Sequence, residues 1–382
     1  MRILIVATKP PWPPRDGGRL VLQTTIDALL DAGHDVALVA PADGESPVGA
    51  PMLRSFDRVP VARRGWVAAA VDAMRGGHAL TVARHRHADV AAAVARVVDE
   101  WRPDIVHAEQ LQSLANAAPA QVRGVPLVLR MQNVESSLWS QVAQARRSSR
   151  WLAFEAGRLR RDERRAFAVA SVVSLTERDA ASLRGIGGRD VAAIAPAFPC
   201  ELPPGTPVAG APAIVVAGSA GWWPNRQGTR WFVDDVVPQL RRVLPDARAH
   251  VYGGERVDCD GIDWHAAPDD ARDAFPAGAI AAVPLLIGSG IRMRVLDAWA
   301  RGLPVVATSV AAAGLAVESG RELVIADTPV AFAHALRDVA ANTALSARLV
   351  AAGRAYLARH HDPLRQARAL AAHYAAAGTL PA

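Results

Sequence analysis

The chain has 382 residues, of which 51% are hydrophobic and 21% are charged, a balance typical of folded globular proteins rather than disordered ones. This length suits two domains better than one. The two cysteines are too few for a disulfide framework or a cysteine-based zinc site, and the net charge of +6 rests almost wholly on arginine. Because no nucleic-acid motif accompanies that charge, we expect no nucleic-acid partner.

The first segment, MRILIVATKPPWPP, predicts a buried strand over residues 2–8 and then a loop that its prolines keep from becoming helical. Its apolar run is too short for a secretory signal peptide, and no uncharged stretch reaches the roughly 20 residues that span a bilayer. We therefore expect a cytoplasmic protein.

Strand and helix patterns alternate through the first half of the chain. A helix from Arg19 to Gly33 and a strand at 35–41 complete a βαβ unit, and apolar runs predict further strands at 104–108, 125–131 and 171–176. An arginine-rich helical stretch covers about 145–170. Between 196 and 212, six prolines in 17 residues predict a linker.

After the linker the pattern restarts. Strands are expected at 213–218, 247–254, 279–286, 303–309 and 322–327, a helix at 229–243, and closing helices at about 329–342, 344–360 and 363–377. This alternation indicates an α/β fold of two Rossmann-like, doubly wound domains facing across a cleft, with C-terminal helices. We place the domains at 1–195 and 212–361, and expect residues 362–382 to cross back to the first domain.

The stretch GSGIRMRVLDAWARGLPVVATSV, in the second half, points to a nucleotide-diphosphate site. Gly288 and Gly290 allow backbone N–H groups to approach an anion, and the helix behind them adds its positive end. Arg292 supplies a planar fork for two phosphate oxygens, and Asp297 is spaced to accept hydrogen bonds from ribose hydroxyls. The alternative is a plain turn before a surface helix, in which Asp297 pairs with an arginine of the same helix.

This stretch resembles the GT-B-fold retaining glycosyltransferases of family 4 (glycosyl transferases group 1), whose Glu-x7-Glu motif lies at this loop and helix. GSAGWWPNRQGTRWFVDDVVPQLRRVLPDARAHVYGG is similar to the first βαβ unit of their donor domain. PPWPPRDGGRLVLQTTIDALLDAGHDVALVAP is similar to their N-terminal loop and first helix, and QNVESSLW resembles their His-Asn-Val-Glu segment. The likeness covers about residues 1–340.

The resemblance implies a glycosyltransferase of polysaccharide biosynthesis that moves a hexose from a UDP- or GDP-sugar. The acceptor would be a glycan, a lipid-linked molecule or a small molecule, and no cofactor or metal ion is expected. Arg292, with the amides of Ser289 and Gly290, would hold the donor diphosphate. Asp297 stands where the second Glu of the motif binds the ribose, and Ser289 stands where the first Glu touches the transferred sugar.

Other positions follow from the same resemblance. Arg226 would replace a lysine that stabilises the leaving diphosphate, with Ser219 or Ala220 at the place of a partner arginine. Gly17 and Gly18 match the N-terminal glycine loop that lets the donor sugar and phosphate come close. A plain turn is the alternative for these two glycines.

Gln132 stands where the family has a histidine that hydrogen-bonds the transferred sugar. Glutamine keeps a donor and an acceptor but cannot titrate. His107 is either a compensating site residue or a structural histidine, and Glu135 keeps the acid of that family segment. Because Arg294 follows Arg292 by two residues, we expect it to point about 200° away around the helix.

Three alternatives stay open. Ser289 and Gln132 also fit a non-catalytic GT-B module that binds a nucleotide sugar or glycan without turnover. An NAD-dependent dehydrogenase is less favoured because neither glycine loop reads GxGxxG. The stretch 146–167 is basic with interleaved aromatic residues, so it fits either peripheral contact with the inner face of the membrane, an anionic acceptor, or a helix that packs one apolar face.

Overall fold

The structure is a computed structural model that describes residues 1–44, 49–62, 65–146, 150–218, 221–254, 256 and 259–379. The elements of the first half are β1 (Arg2–Val6), α1 (Gly17–Asp31), β2 (Asp35–Pro41), β3 (Ser55–Val59), α2 (Trp66–Gly76), α3 (Leu80–Arg84), α4 (Ala88–Trp101), β4 (Ile105–Glu109), α5 (Leu114–Val122), β5 (Leu127–Met131), α6 (Glu135–Ala145), α7 (Arg150–Ala166), β6 (Ser171–Ser174), α8 (Glu177–Gly185) and β7 (Val191–Ala193). Those of the second half are β8 (Ala213–Ala217), α9 (Trp223–Trp231), α10 (Val237–Val243), β9 (Arg248–Tyr252), β10 (Ile262–His265), β11 (Ile280–Val283), α11 (Met293–Ala300), β12 (Val305–Ala307), α12 (Ser309–Ala312), β13 (Val324–Ile325), α13 (Pro329–Ala341), α14 (Thr343–His360) and α15 (Pro363–Thr379).

Each half is built on one parallel sheet. The strand order is β3-β2-β1-β4-β5-β6-β7 in the first sheet and β10-β9-β8-β11-β12-β13 in the second. Both sheets start at an inner strand, so that Ile3 of β1 pairs with Val36 of β2 on one side and with Ile105 of β4 on the other. The predicted fold class, an α/β fold of two Rossmann-like, doubly wound halves, is confirmed.

The central strands are mostly apolar because helices cover both faces of each sheet. In β1, Ile3, Leu4, Ile5 and Val6 are all fully buried. The helices pack their apolar stripes on these strands, and none of the helices in the described residues is long and apolar enough to cross a membrane.

The sequence predictions miss the short strands β3, β7 and β10, and they do not include α2 to α6, α8 or α12. Strands β3 and β10 are only partly apolar, since they lie at sheet edges where one side stays open. The predicted loop 219–228 is also too long, because α9 already begins at Trp223 with Pro224 in its first turn, where a missing N–H costs little. The predicted helix 145–170 is α7, which ends at Ala166.

The chain passes between the halves twice. Residues 196–212 join the two sheets, and α15 returns after Pro363 to pack on α1, burying Leu370 and Tyr374. The two crossings touch, since the N–H of Phe198 donates to the carbonyl of His361 at 2.8 Å. The ring of His361 in turn lies 2.8 Å from the carbonyl oxygen of Pro196.

Candidate active site

Loops at the carboxyl ends of the strands meet between the two sheets, where the start of α1 touches the start of α11. A side-chain carbon on Gly17 would lie 3.7 Å from Met293. Two cavities lie beside this contact. The arginine cavity, of about 700 Å³, contains the cations Lys9, Arg146, Arg226, Arg292 and Arg294. The aspartate cavity, of about 880 Å³, contains Asp27, Asp31, Asp269, Asp270 and Asp297.

The start of α1 forms one wall of the arginine cavity. Asp16 caps the helix by accepting the N–H of Arg19 at 3.0 Å, and it also accepts from the ammonium group of Lys9 at 2.6 Å. Burial raises the pKa of Asp16, but the two cations outweigh it and hold that pKa below its ordinary value. A Cβ on Gly18 would lie 2.8 Å from Oε1 of Gln132, so a larger residue here would displace the end of that side chain.

Gln132 follows β5 and lines the same cavity. Its amide nitrogen donates to Oε1 of Glu109 at 2.7 Å and to the carbonyl oxygen of Gly18 at 3.1 Å. Its Oε1 accepts from Gln110 at 2.9 Å. The structure therefore brings Gln132 and the glycine pair of α1 together, with Gln132 holding that pair against β4 and β5.

The loop before α11 is held by side chains of the first half. The N–H of Gly290 and the hydroxyl of Ser289 each donate to a carboxylate oxygen of Asp179 at 3.0 Å. The N–H of Gly288 donates to Oε1 of Gln141 at 3.2 Å. In this structure the carboxylate of Asp179 thus accepts a hydrogen bond from Gly290, whose amide the sequence analysis assigns to the donor phosphate.

Gly290 packs closely against the end of β5. Its φ is 77°, a left-handed value that favours glycine, and a Cβ there would lie 2.3 Å from the backbone oxygen of Gln132. The hydroxyl of Ser289 also accepts the N–H of Val134 at 2.9 Å. The second glycine loop and Gln132 therefore form one contact surface between the two halves.

Arg292 and Arg294 line the same cavity, so the prediction that they point in opposite directions is wrong. Arg292 precedes α11 with φ −91° and ψ 91°, and helical rotation therefore does not apply to it. Its guanidinium donates to the carbonyl of Ser289 and lies 5.7 Å from the ring of Trp222. Burial lowers the pKa of each arginine to about 10.

The Nε of Arg292 is buried and has no hydrogen-bond partner among the described residues. A buried guanidinium N–H without an acceptor is costly, and an incoming anion would satisfy it. Several side chains among the described residues have such an atom, and Arg292 is one that lines the arginine cavity.

Asp297 lies in the aspartate cavity, paired with Arg301. Its Oδ1 accepts from the guanidinium Nε at 2.6 Å, and a second nitrogen of Arg301 donates to the carbonyl oxygen of Pro203, also at 2.6 Å. Burial raises the pKa of Asp297 and the arginine opposes that rise. The structure thus shows the ion pair that was the alternative to ribose binding, and the ribose role stays a prediction.

Aromatic side chains connect the cations at the arginine cavity. Arg226, in α9, lines the cavity with Trp222 and Trp223. The guanidinium of Arg146, the residue that follows α6, lies 5.6 Å from the ring of Trp223. Ser219 and Ala220, which stand at the family's partner arginine, lie outside the described residues.

Glu135 opens α6 and lines the arginine cavity. Burial and the neighbouring carboxylate of Glu163 raise its pKa to about 7.

Sequence reasoning missed Asp179 and Glu109 as neighbours of the site; their one sequence signal is that both lie at or near the carboxyl end of a buried strand. Within the described ranges, no group of three or more His, Cys, Asp or Glu side chains could hold a metal ion.

Of the two roles considered for His107, the structure supports a structural histidine and not a residue that lines the site in place of the family's histidine. Its ring is fully buried, with Nδ1 on the hydroxyl of Tyr374 and Nε2 3.0 Å from Glu109, and it is absent from the described lining of both cavities.

The basic helix α7 buries Leu159 and leaves Trp151 and Phe154 about half exposed. Contact between α7 and a membrane stays a prediction.

Two family models match this chain. The model described as Glycosyltransferase Family 4 matches residues 15–202, and the model described as Glycosyl transferases group 1 matches residues 211–342. Together with the two facing sheets, these matches define the class. The chain belongs to the group 1 glycosyltransferases of GT-B fold.

Solved structures share the fold across the whole chain at low sequence identity. Sucrose-phosphate synthase from Thermosynechococcus elongatus has a TM-score of 0.71 and 14% identity, covering 98% of this chain and 99% of that one. Anabaena HepE in complex with UDP and glucose has a TM-score of 0.66 and 15% identity, covering 97% and 99%. An uncharacterized 44.6 kDa protein in the cps region of Klebsiella pneumoniae is 27% identical over 124 residues, and that match spans 28% of this chain and 32% of the Klebsiella protein.

Proposed function

We propose that this protein transfers a hexose from a UDP- or GDP-sugar to a glycan, a lipid-linked acceptor or a small molecule, with retention of configuration. The observation that carries the proposal is the arginine cavity, where cations from both halves meet the glycine pair of α1. The similar structure of HepE, solved with UDP and glucose, supports a nucleotide sugar as donor. The cps region of the Klebsiella relative supports a role in polysaccharide synthesis.

The two cavities suit different parts of such a donor. The diphosphate carries the negative charge of a nucleotide sugar, and we assign it to the arginine cavity. The ribose and base are neutral, and we assign them to the aspartate cavity, where Asp297 would accept a ribose hydroxyl. The glycine pair of α1 lines the arginine cavity and would leave room there for the phosphates.

Transfer then requires stabilisation of the leaving group. As the bond between the sugar C1 and the phosphate oxygen breaks, negative charge grows on the diphosphate and the sugar becomes oxocarbenium-like. Arg292 presents its buried Nε to that charge, and preorganised donors of this kind are typically worth about 3–4 kcal/mol. In same-face attack, the acceptor hydroxyl oxygen bonds to C1 and its proton passes to a leaving phosphate oxygen, so the scheme requires no protein nucleophile.

Binding of the donor must compete with Asp179. This carboxylate accepts the N–H of Gly290, the amide that we assign to the phosphate. A diphosphate in the cavity would therefore displace Asp179 or bind beside it, drawing on Arg292 and Arg294 for charge neutralisation. We expect the loop at 288–290 to separate from the first half when the donor binds.

The test begins with thermal shifts against a panel of UDP- and GDP-sugars, followed by measurement of nucleotide release with and without an acceptor. A transferase releases UDP or GDP slowly to water and faster with an acceptor. A non-catalytic binding module gives the same thermal shift but releases no nucleotide. Retention is read from the anomeric configuration of the product by NMR.

A further inference from the structure

A chain of hydrogen bonds runs from the last helix, α15, to the arginine cavity. The hydroxyl of Tyr374 contacts Nδ1 of His107, and Nε2 of that ring lies 3.0 Å from Glu109. Glu109 accepts from Gln132 at 2.7 Å, and Gln132 donates to the carbonyl of Gly18 at 3.1 Å. We propose that Tyr374, His107 and Glu109 are positioning residues that orient Gln132 and the glycine pair of α1. The inference rests on the proposed function only in treating that pair and Gln132 as part of the donor site.

The charge on Glu109 sets the direction of these bonds. Burial raises its pKa, but Arg130, whose Nε lies 2.9 Å from Oε2, and His107 outweigh burial and lower that pKa to about 2. An ionised carboxylate only accepts hydrogen bonds, so each group facing it must donate. The amide of Gln132 must therefore turn its nitrogen toward Glu109, which leaves Oε1 for the amide of Gln110.

The same rule sets the proton on His107. Burial lowers its pKa, so the ring is neutral and carries one proton, which must lie on Nε2 because Nε2 faces the carboxylate. Nδ1 then accepts from the hydroxyl of Tyr374, whose pKa burial raises, so that it keeps its proton. The hydroxyl of Tyr374 thus keeps His107 in the tautomer with its proton on Nε2, which Glu109 requires. Glu109 in turn keeps the amide nitrogen of Gln132 turned toward itself.

Water cannot substitute for these bonds, because Tyr374, His107 and Glu109 are each at most 2% exposed. Loss of one partner leaves a buried polar atom unsatisfied, and the remaining hydrogen bonds between Tyr374 and Gln132 rearrange to relieve it. A purely structural role would be to fasten α15 to the first half. His373, next to Tyr374, makes such a tie: its ring lies 2.9 Å from the hydroxyl of Ser171, and among the described hydrogen bonds it makes none to Glu109 or Gln132.

This pair of neighbours supplies a matched comparison. Tyr374→Phe removes the hydroxyl and keeps the aromatic ring by which α15 packs on the first half. His373→Phe removes the hydrogen bond between His373 of the same helix and Ser171. Both variants lose one tie between α15 and the first sheet, but the first alone breaks the chain to Gln132.

The first experiment is hydrogen exchange on the ligand-free proteins. In Tyr374→Phe the amides at the start of α1, around Gly18 to Leu22, should exchange about 3–10 times faster, the effect expected of one lost hydrogen bond. In His373→Phe they should exchange at the wild-type rate. Unchanged exchange in Tyr374→Phe, or equal acceleration in both variants, overturns the proposal.

The second experiment measures UDP release from UDP-glucose. Tyr374→Phe should lower kcat about 3–10 fold with little change in KM, and His373→Phe should not. In a Gln132→Ala background, Tyr374→Phe should cost nothing more, because the residue it positions is gone. Full additivity of the two substitutions contradicts the proposal. If the wild type releases no UDP from UDP-glucose, the proposed donor fails, while hydrogen exchange still decides the positioning role.

Discussion

The two cavities beside α1 are similar in size and opposite in charge. The arginine cavity gathers five cations, and burial lowers the pKa of Arg292 and Arg294 to about 10. The aspartate cavity gathers five carboxylates, and burial raises the pKa of Asp27 to about 6. Like charges collected in a cavity oppose stability, and such perturbed groups cluster at sites of function. The difference teaches that neighbouring cavities on the two sides of one helix start can carry opposite charge.

The largest expected effect is at the arginine cavity. Arg292→Ala should lower turnover by about 10²–10³-fold, the usual loss for one charge-stabilising donor. Arg292→Lys should recover only part, because a point charge lacks the planar fork. The measurement is kcat with a confirmed donor.

Arg294 is the matched variant for that prediction. It lines the same cavity, but its charge is also set against Asp16 and Asp297, so Arg294→Ala should cost less than Arg292→Ala. Equal losses in both variants would mean that total charge matters and the placement of Arg292 does not. No loss in either would place the diphosphate elsewhere, with Arg226 as the next candidate.

At the aspartate cavity, Asp297→Ala should weaken binding of UDP or GDP by about 1–3 kcal/mol, the loss expected for a charge-assisted hydrogen bond to ribose. Isothermal calorimetry measures it. The variant should also melt at a lower temperature, because Arg301 loses its buried partner.

Arg301→Gln separates the two roles of Asp297. It breaks the same ion pair and leaves the carboxylate in place. If both variants lower the melting temperature and neither changes nucleotide affinity, Asp297 serves only the ion pair, and the aspartate cavity does not hold the ribose.

Glu135 tests the charge balance of the arginine cavity through pH. Its pKa is raised from 4.5 to about 7, so between these values the folded protein keeps a proton that the unfolded chain releases. Stability therefore falls as pH rises through this window, and the full cost is present above about pH 7. Glu135→Gln should stabilise the protein at pH 8 by roughly 1–2 kcal/mol after solvent screening, and hardly at pH 4.

Thermal melts at the two pH values provide the measurement for Glu135. Glu163→Gln is the partner variant, because Glu163 is the charge that opposes Glu135. It should bring the pKa of Glu135 back toward its ordinary value. A stabilisation by Glu135→Gln that is equal at pH 4 and pH 8 would show that packing, and not charge, is responsible.

The smallest effect is expected at Asp27 in the aspartate cavity. Burial, and then Asp31 one turn on, raise its pKa to about 6 from 3.8, so stability falls as pH rises between these values. Asp27→Asn should stabilise the protein at pH 8 by roughly 0.2–0.5 kcal/mol, in line with a like-charge pair at helical spacing and partial exposure. Asp31→Asn should give a smaller gain, and a loss of stability in either variant at pH 8 would contradict this account.

The sequence alone determined the inner strands of the parallel sheets, because these are buried on both faces and are mostly apolar. It also determined the two glycine loops and the linker, which depend on local backbone chemistry. Order along the chain placed Gln132, Arg292 and the glycine pair of α1 at one end of the sheets, and the structure brings them to one cavity.

Only the tertiary structure decided which side chains meet. It placed Asp297 in a different cavity from Arg292, although the two are close in sequence, because α11 begins between them. It brought Asp179 to Gly290 and Tyr374 to His107, pairs separated by 111 and 267 positions. The physical reason is that helices, strands and turns follow from neighbouring residues, whereas these contacts depend on how two sheets and a returning helix pack together.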